Sequence, residues 1–144
     1  TRLTMGEPLL EMPPGRLLEY IDLYNVRWIL TATPEAASYV DKLPYVEVLW
    51  SSKHFVLYGV TTPYSGFASE RGVRVRASYD LLQVTIASGA GEAPPKTILL
   101  KYHWDPGLEV AAPCKISPLK QREDPVPLIL LEPNGETNVR ITFH

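Results

Sequence analysis

The sequence is poor in the residues that build disulfide frameworks and thiolate metal clusters, because Cys114 is its one cysteine. An internal disulfide and a zinc site of clustered thiolates are therefore excluded. A free cysteine in a folded domain most often behaves as a small buried side chain. We expect Cys114 to be such a residue.

The sequence also lacks an excess of positive charge and a long apolar run. Its formal net charge is -2 at pH 7, and no cluster of lysine and arginine stands out, so we predict no nucleic-acid partner. The densest apolar run, residues 128–131, lies between two prolines and is far shorter than the roughly 18 residues of a membrane span. The chain begins with Thr1 and carries no apolar leader, so we expect it to be part of a longer polypeptide.

Proline, in contrast, is abundant. The 14 prolines among 144 residues are about twice the usual share of roughly 5%. Proline is tolerated in turns and at strand ends and sheet edges, but not inside helices. The composition therefore predicts a loop-rich protein dominated by β-structure.

The first part of the chain contains a helix that leads directly into a strand. Apolar residues at helical spacing predict a helix from about residue 16 to residue 24, and Asn25 suits the left-handed position that closes a helix. Residues 26–32 then alternate with period two. We predict that Val26, Trp28 and Leu30 face the core, and that apolar residues on both faces make this a strand covered on each side.

The remaining pattern predicts one more helix and a series of strands. Thr33, Pro34 and Glu35 form a helix start, with Pro44 as the stop. Residues 45–51 and 55–60 read as a hairpin, and beyond residue 62 we find strand patterns only. We therefore predict an α+β fold, with a small α/β layer at residues 1–62 packed on an antiparallel, jelly-roll-like β-sandwich at residues 63–144. Together they should form one compact unit.

No catalytic motif is present. His54, His103 and His144 have no metal-ligand spacing, so we predict no metal and no other cofactor. Glu123 and Asp124 suit a solvated turn, and a small hydrolase that uses them is the least favoured reading. We predict that the chain itself is not an enzyme.

Two groups of residues are candidates for a ligand or partner surface. Arg74 and Arg76 alternate along one strand face and could hold phosphate or a sugar acid, although such arginines more often only solubilise a sheet. Aromatic side chains could offer a platform for sugar rings, although aromatics in strand register are more often core: Trp50, Tyr58, Tyr64, Tyr79, Tyr102 and Trp104. Among them Trp104 is the favoured candidate, because it stands beside the tight turn that begins at Asp105.

Motifs in both halves resemble a known family. They are the sequence Leu-Tyr-Asn-Val-Arg-Trp-Ile-Leu at residues 23–30, Phe-Val-Leu-Tyr at 55–58, the aliphatic-to-aromatic strand with its Pro-Gly turn at 98–107, and the closing turn and strand at 133–143. This pattern resembles the C-terminal soluble domains of multi-spanning bacterial membrane proteins of the YfhO-like group, which are related to lipid-carrier-dependent (GT-C type) glycosyltransferases. The chain departs from the family at Leu108, where the family usually has tryptophan.

The resemblance implies a non-catalytic extracytoplasmic domain, because the catalytic acids of such proteins lie between membrane helices that this chain does not contain. Its partner would be the membrane-embedded part of the same polypeptide, at the extracytoplasmic face of a bacterial membrane. The ligand handled by the whole protein would be a glycan or lipid-linked sugar. A stand-alone carbohydrate-binding β-sandwich module is the alternative reading.

Overall fold

The computed structural model describes residues 3–4, 7–63, 66–87, 93–121 and 126–143. The chain divides into two units, Thr1–Tyr64 and Ser65–His144. This division lies close to the predicted boundary after residue 62. That both parts form one cooperative unit remains a prediction.

The first unit consists of short strands and two helices. In chain order its elements are β1 (Leu3–Thr4), β2 (Glu7–Pro8), a 3-10 turn (Leu9–Glu11), α1 (Pro14–Leu23), β3 (Trp28–Thr31), α2 (Pro34–Val40), β4 (Val46–Ser51) and β5 (Val56–Val60). Strands β1 and β2 pair with each other, and the other three form an antiparallel sheet in the order β3-β5-β4.

Local chemistry explains where both helices begin and end. Helix α1 begins with Pro14 at its first position. Asn25 follows the end of this helix and adopts a left-handed backbone conformation, with a φ angle of 53°. Thr33 caps α2, because its hydroxyl accepts a hydrogen bond from the amide of Ala36 at 3.2 Å. The sequence predicted the closing role of Asn25 and the start of α2, and both are confirmed.

The two helices cover only one face of the three-stranded sheet. The buried core of this unit is formed by side chains from both helices, from the segments that flank them and from the middle strand: Met12, Leu17, Tyr20, Ile21, Val40, Leu43, Tyr45, Tyr58 and Val60. On β3, the inward residues are Ile29 and Thr31, whereas Trp28 is 67% exposed and Leu30 is 62% exposed. The prediction that Trp28 and Leu30 face the core is therefore wrong, because the helices pack against the opposite side of the strand.

The second unit is built from strands. They are β6 (Val73–Ser78), β7 (Leu81–Ile86), β8 (Ile98–His103), β9 (Leu108–Val110), β10 (Lys115–Leu119), β11 (Leu128–Glu132) and β12 (Asn138–Phe143). They form two antiparallel sheets with the orders β10-β11-β8 and β6-β7-β12-β9. The described part of the chain is thus mostly antiparallel β-structure with two short helices, as the sequence predicted.

Both sheets of the second unit contribute to its core. The fully buried side chains include Val84 and Ile141 from one sheet and Ile98 and Leu131 from the other. Cys114 is also buried, as predicted, and its thiol donates a hydrogen bond to the carbonyl of Pro133 at 3.4 Å. Burial raises the pKa of this thiol, which makes it a poor nucleophile.

Candidate functional site: an apolar sheet face and an arginine row

The first unit exposes large apolar side chains on the side of its sheet that neither described helix covers. Strand pairing places Leu30, Leu57 and Trp50 in one row across the three strands. Trp28 lies two residues before Leu30 on the same face. We call the surface formed by Trp28, Leu30, Leu49, Trp50 and Leu57 the apolar sheet face.

A β-bulge and a glycine make this face continuous. The register between β4 and β5 shifts between Val48 and Trp50, which places Leu49 over the middle strand. A Cβ at Gly59 would lie 3.1 Å from Cδ1 of Leu49. Because Gly59 has no side chain, Leu49 can lie against the backbone of β5 and fill the gap between the rows.

The exposed area of this face is within the range of the largest apolar patch on a typical monomeric protein. Trp28, Leu30, Leu49 and Trp50 are 67%, 62%, 49% and 54% exposed. With roughly 200 Å² for each large side chain, they present on the order of 450 Å² of apolar surface. Patches of about 300–600 Å² are often functional, and one side of a standard protein interface buries about 800 Å². The face is therefore large enough to form the core of an interface.

A groove adjoins this face between α1 and β3. It has a volume of about 340 Å³, and its lining is almost wholly apolar: Leu9, Leu17, Tyr20, Ile21, Tyr24, Val26, Trp28, Ile29, Leu30 and Val40. We call it the α1–β3 groove. Such a lining suits an aliphatic or aromatic side chain rather than a charged group.

The second unit carries a row of positive charge on its four-stranded sheet. Arg76 lies opposite Gln83, which lies opposite Arg140 on the next strand. Because neighbouring strands are about 4.8 Å apart, the two arginines of this row are roughly 10 Å apart. Arg74 lies two residues from Arg76 on the same face, next to Thr85. We call Arg74, Arg76 and Arg140 the arginine row.

The arginine row is exposed, and no carboxylate of the described residues is paired with it. All three side chains are exposed, and within the described ranges no ion pair or hydrogen bond engages their guanidinium groups. Glu109 is opposite Thr142 on the neighbouring strand and is therefore diagonal to Arg140 on the same sheet. An anionic group could therefore bind without displacing an internal carboxylate.

The structure does not place the other candidate residues with this row. Trp104 is half-buried and packs against the core of the second unit, and its part in a ligand surface stays a prediction. The carboxylate of Asp105 accepts a hydrogen bond from the amide of Gly107 at 2.8 Å, which closes a turn. Tyr79, in contrast, is fully exposed between β6 and β7.

Several sequence candidates lie outside the described residues. They are Tyr64, Glu123, Asp124 and His144. Elsewhere, in the part of the chain that the structure does describe, no group of three or more histidine, cysteine, aspartate or glutamate side chains could hold a metal ion. No described helix has the length and apolarity needed to cross a membrane.

Arg140 was missed from the sequence, although the signal was present. Val139 and Ile141 are buried on either side of it, and this alternation places Arg140 on the polar face. What one sequence cannot give is the strand order that brings Arg140 beside Gln83 and Arg76. No family model, curated protein or solved structure matches the chain, so these surfaces are interpreted from their own chemistry.

Proposed function

We propose that the chain is a non-catalytic extracytoplasmic domain of a larger membrane-anchored protein that handles glycans or lipid-linked sugars. The apolar sheet face carries this proposal. Burial of a surface with two tryptophans and three leucines is favourable, by roughly 25 cal/mol for each Å² of apolar area removed from water. In this role the face packs on the membrane-embedded part of the same polypeptide.

The fold agrees with an accessory role. Helices cover one face of the sheet in the first unit and leave the other to a partner. For the second unit we propose a jelly-roll-like sandwich, supported by a core that draws side chains from both of its sheets. The predicted boundary, the motifs near Asn25 and the resemblance to YfhO-like domains favour the same function.

Cysteine alkylation can test whether the face is covered. Trp50→Cys places a thiol on the apolar sheet face, and Gln83→Cys places a control thiol on the exposed face of β7. Cys114 adds little background because it is buried. A maleimide should modify both introduced thiols quickly in the isolated chain.

In membranes that contain the longer polypeptide, alkylation at position 50 should slow at least about tenfold while alkylation at position 83 stays fast. The open reading frame that contains this chain should also encode hydrophobic membrane-spanning segments. Equal rates at position 50 in both settings would contradict the proposal, as would a frame without such spans.

A second candidate function is a carbohydrate-binding module, and the arginine row is the observation that favours it. Guanidinium groups bind carboxylates and phosphates with two parallel hydrogen bonds. A row with amide and hydroxyl neighbours, Gln83 and Thr85, could therefore bind an acidic glycan along the sheet. The row could equally serve the leading function if the lipid-linked sugar carries phosphate.

Binding of polygalacturonate, with neutral dextran as the control, tests this candidate. Arg140→Ala should weaken binding about fivefold, corresponding to roughly 1 kcal/mol. Lys115→Ala, an exposed charge removed from the other sheet, should have no effect. If Arg140→Lys binds like the parent, the row acts by charge alone and the bidentate geometry is wrong.

A further inference from the structure

One edge of the first unit's sheet is open to another strand. Strand β3 is the outer strand of the order β3-β5-β4, and the amide of Val60 donates to the carbonyl of Arg27 at 2.9 Å. Along antiparallel strands, residue pairs that are hydrogen-bonded to each other alternate with pairs that are not. Every second residue counted from Arg27 is therefore bonded to β5. The amides and carbonyls of Ile29 and Thr31 therefore face β5, and those of Trp28 and Leu30 point outward.

Strand β3 is short, with four residues, but it lacks the charges, prolines and bulges that discourage pairing at an edge strand. No proline or charged residue lies between Trp28 and Thr31, and no described strand other than β5 pairs with β3. The opposite edge, β4, is different because it carries Glu47 and a β-bulge at Leu49. Bulges and charges discourage edge pairing, so the two edges differ in their capacity to accept a strand.

The α1–β3 groove adjoins the open edge. Trp28, Ile29 and Leu30 of the edge strand form part of its lining, together with Leu17 and Tyr24 from the region of α1. A strand added to β3 would project alternate side chains to one side of the sheet. Side chains on the helix side would then enter the groove, and the others would extend the apolar sheet face.

We propose that β3 and the α1–β3 groove bind an extended segment of the partner polypeptide with apolar residues at alternate positions. This mode is β-strand addition, in which backbone hydrogen bonds give affinity and side-chain pockets give specificity. The inference rests on the proposed function, since it names the kind of segment that covers the first unit. It adds that the covering segment is a strand.

Other occupants fit the surface less well. A lipid chain or a helix could fill the groove, but it would leave the outward amides of Trp28 and Leu30 without partners in a dry interface. A second copy could pair β3 with β3, yet that pairing would leave the apolar sheet face of both copies in water. An extended segment satisfies the backbone and fills the groove together.

The test uses the full chain labelled with ¹⁵N and a synthetic seven-residue peptide in which valine and threonine alternate. Chemical-shift changes should centre on Trp28 and Leu30 and on groove residues such as Tyr24. Hydrogen exchange at the amides of Trp28 and Leu30 should slow about tenfold at saturation. A dissociation constant on the order of 1 mM is expected, because ordering a short free peptide is costly.

Two controls make the test specific. The same peptide N-methylated at every amide should not bind, because it cannot pair with the edge. Leu30→Pro removes an outward amide and should abolish binding, whereas Val48→Pro, which removes the outward amide of the β4 edge, should not. Circular dichroism checks that both variants fold, and the exchange measurement on the parent chain needs neither variant.

Three results would overturn the inference. The first is chemical-shift changes at residues away from β3, and the second is equal binding of the N-methylated peptide. The third is slower hydrogen exchange at Trp28 and Leu30 when only the protein concentration is raised, because the occupant would then be a second copy. Slow alkylation at position 50 in the longer polypeptide, without peptide binding at β3, would leave the proposed function standing and reject strand addition.

Discussion

Three tyrosine hydroxyls tie separate segments of the first unit together. Tyr39 donates to the carbonyl of Met12 and Tyr45 to that of Pro14, each at 2.7 Å. Tyr58, which is 1% exposed, donates to Oδ1 of Asp41 at 2.8 Å. Burial raises the pKa of all three groups, and raises that of Tyr45 to about 12. Each phenol must keep its proton to donate these bonds.

The raised pKa values predict that the first unit loses stability in base. Since the ordinary pKa is 10.0, the unfolded chain loses these protons before the folded chain does. The contribution of these hydroxyls to the free energy of unfolding is fully present below pH 10. It is lost as the pH rises toward the folded pKa, which for Tyr45 is about 12. Urea melts across this range should show the fall, and Tyr45→Phe should reduce it. Tyr79→Phe is the matched control, because it removes a hydroxyl from a fully exposed side chain that makes none of these hydrogen bonds.

Trp28 and Trp104 should differ in how much they contribute to the free energy of unfolding. Trp28 is 67% exposed, so Trp28→Ala should lower the free energy of unfolding by about 1 kcal/mol or less. Trp104 is half-buried against the core of the second unit, and Trp104→Ala should cost about 2–3 kcal/mol through lost burial and a partial cavity. Denaturant melts of both variants measure the difference. The opposite ranking would mean that the outward assignment of Trp28 is wrong.

At the scale of elements, local sequence patterns predicted much of the structure but predicted the wrong buried face for strand β3. Thr33 and Asn25 act through their own backbone neighbours, so the sequence alone placed them correctly. The exposed Arg74 and Arg76, and the half-buried Val73 and Val75 that alternate with them, follow from period-two alternation on a strand with one apolar face. Strand β3 has two apolar faces, and only the tertiary position of the helices decides which is covered.

The cap of α2 gives a prediction for one element. Thr33→Ala removes the side-chain acceptor of the Ala36 amide and should lower the free energy of unfolding by about 1 kcal/mol. Thr33→Ser keeps the hydroxyl and should recover most of that loss. Thermal melts of the pair measure both effects. Equal destabilisation by serine and alanine would show that the methyl group, and not the cap, is responsible.

At the scale of the whole molecule, each unit offers a different exposed surface. The first presents the apolar sheet face beside an open strand edge, which suits a polypeptide partner. The second presents the arginine row, which suits an anionic ligand. The row could be predicted in part, from Arg74 and Arg76, whereas Arg140 and the continuity of the apolar face depend on strand order and on the bulge at Leu49.

We also predict that the purified chain turns over neither lipid-linked sugars nor oligosaccharides. The described residues contain neither a metal-binding cluster nor an acid pair set in a groove, and the α1–β3 groove is apolar. Product analysis with lipid-linked and free oligosaccharide substrates measures this. Turnover that one point substitution in the chain abolishes would show that the domain is an enzyme.

We propose that a segment of the same longer polypeptide covers the apolar sheet face, and site-specific photo-cross-linking can identify that segment. A benzophenone amino acid replaces Trp50 in the natural polypeptide, or Gln83 as the control, and mass spectrometry identifies the cross-linked segment after irradiation. We expect a cross-link from position 50 to an apolar segment of the same polypeptide, and none from position 83. No cross-link from position 50, or equal cross-linking from both positions, would contradict it.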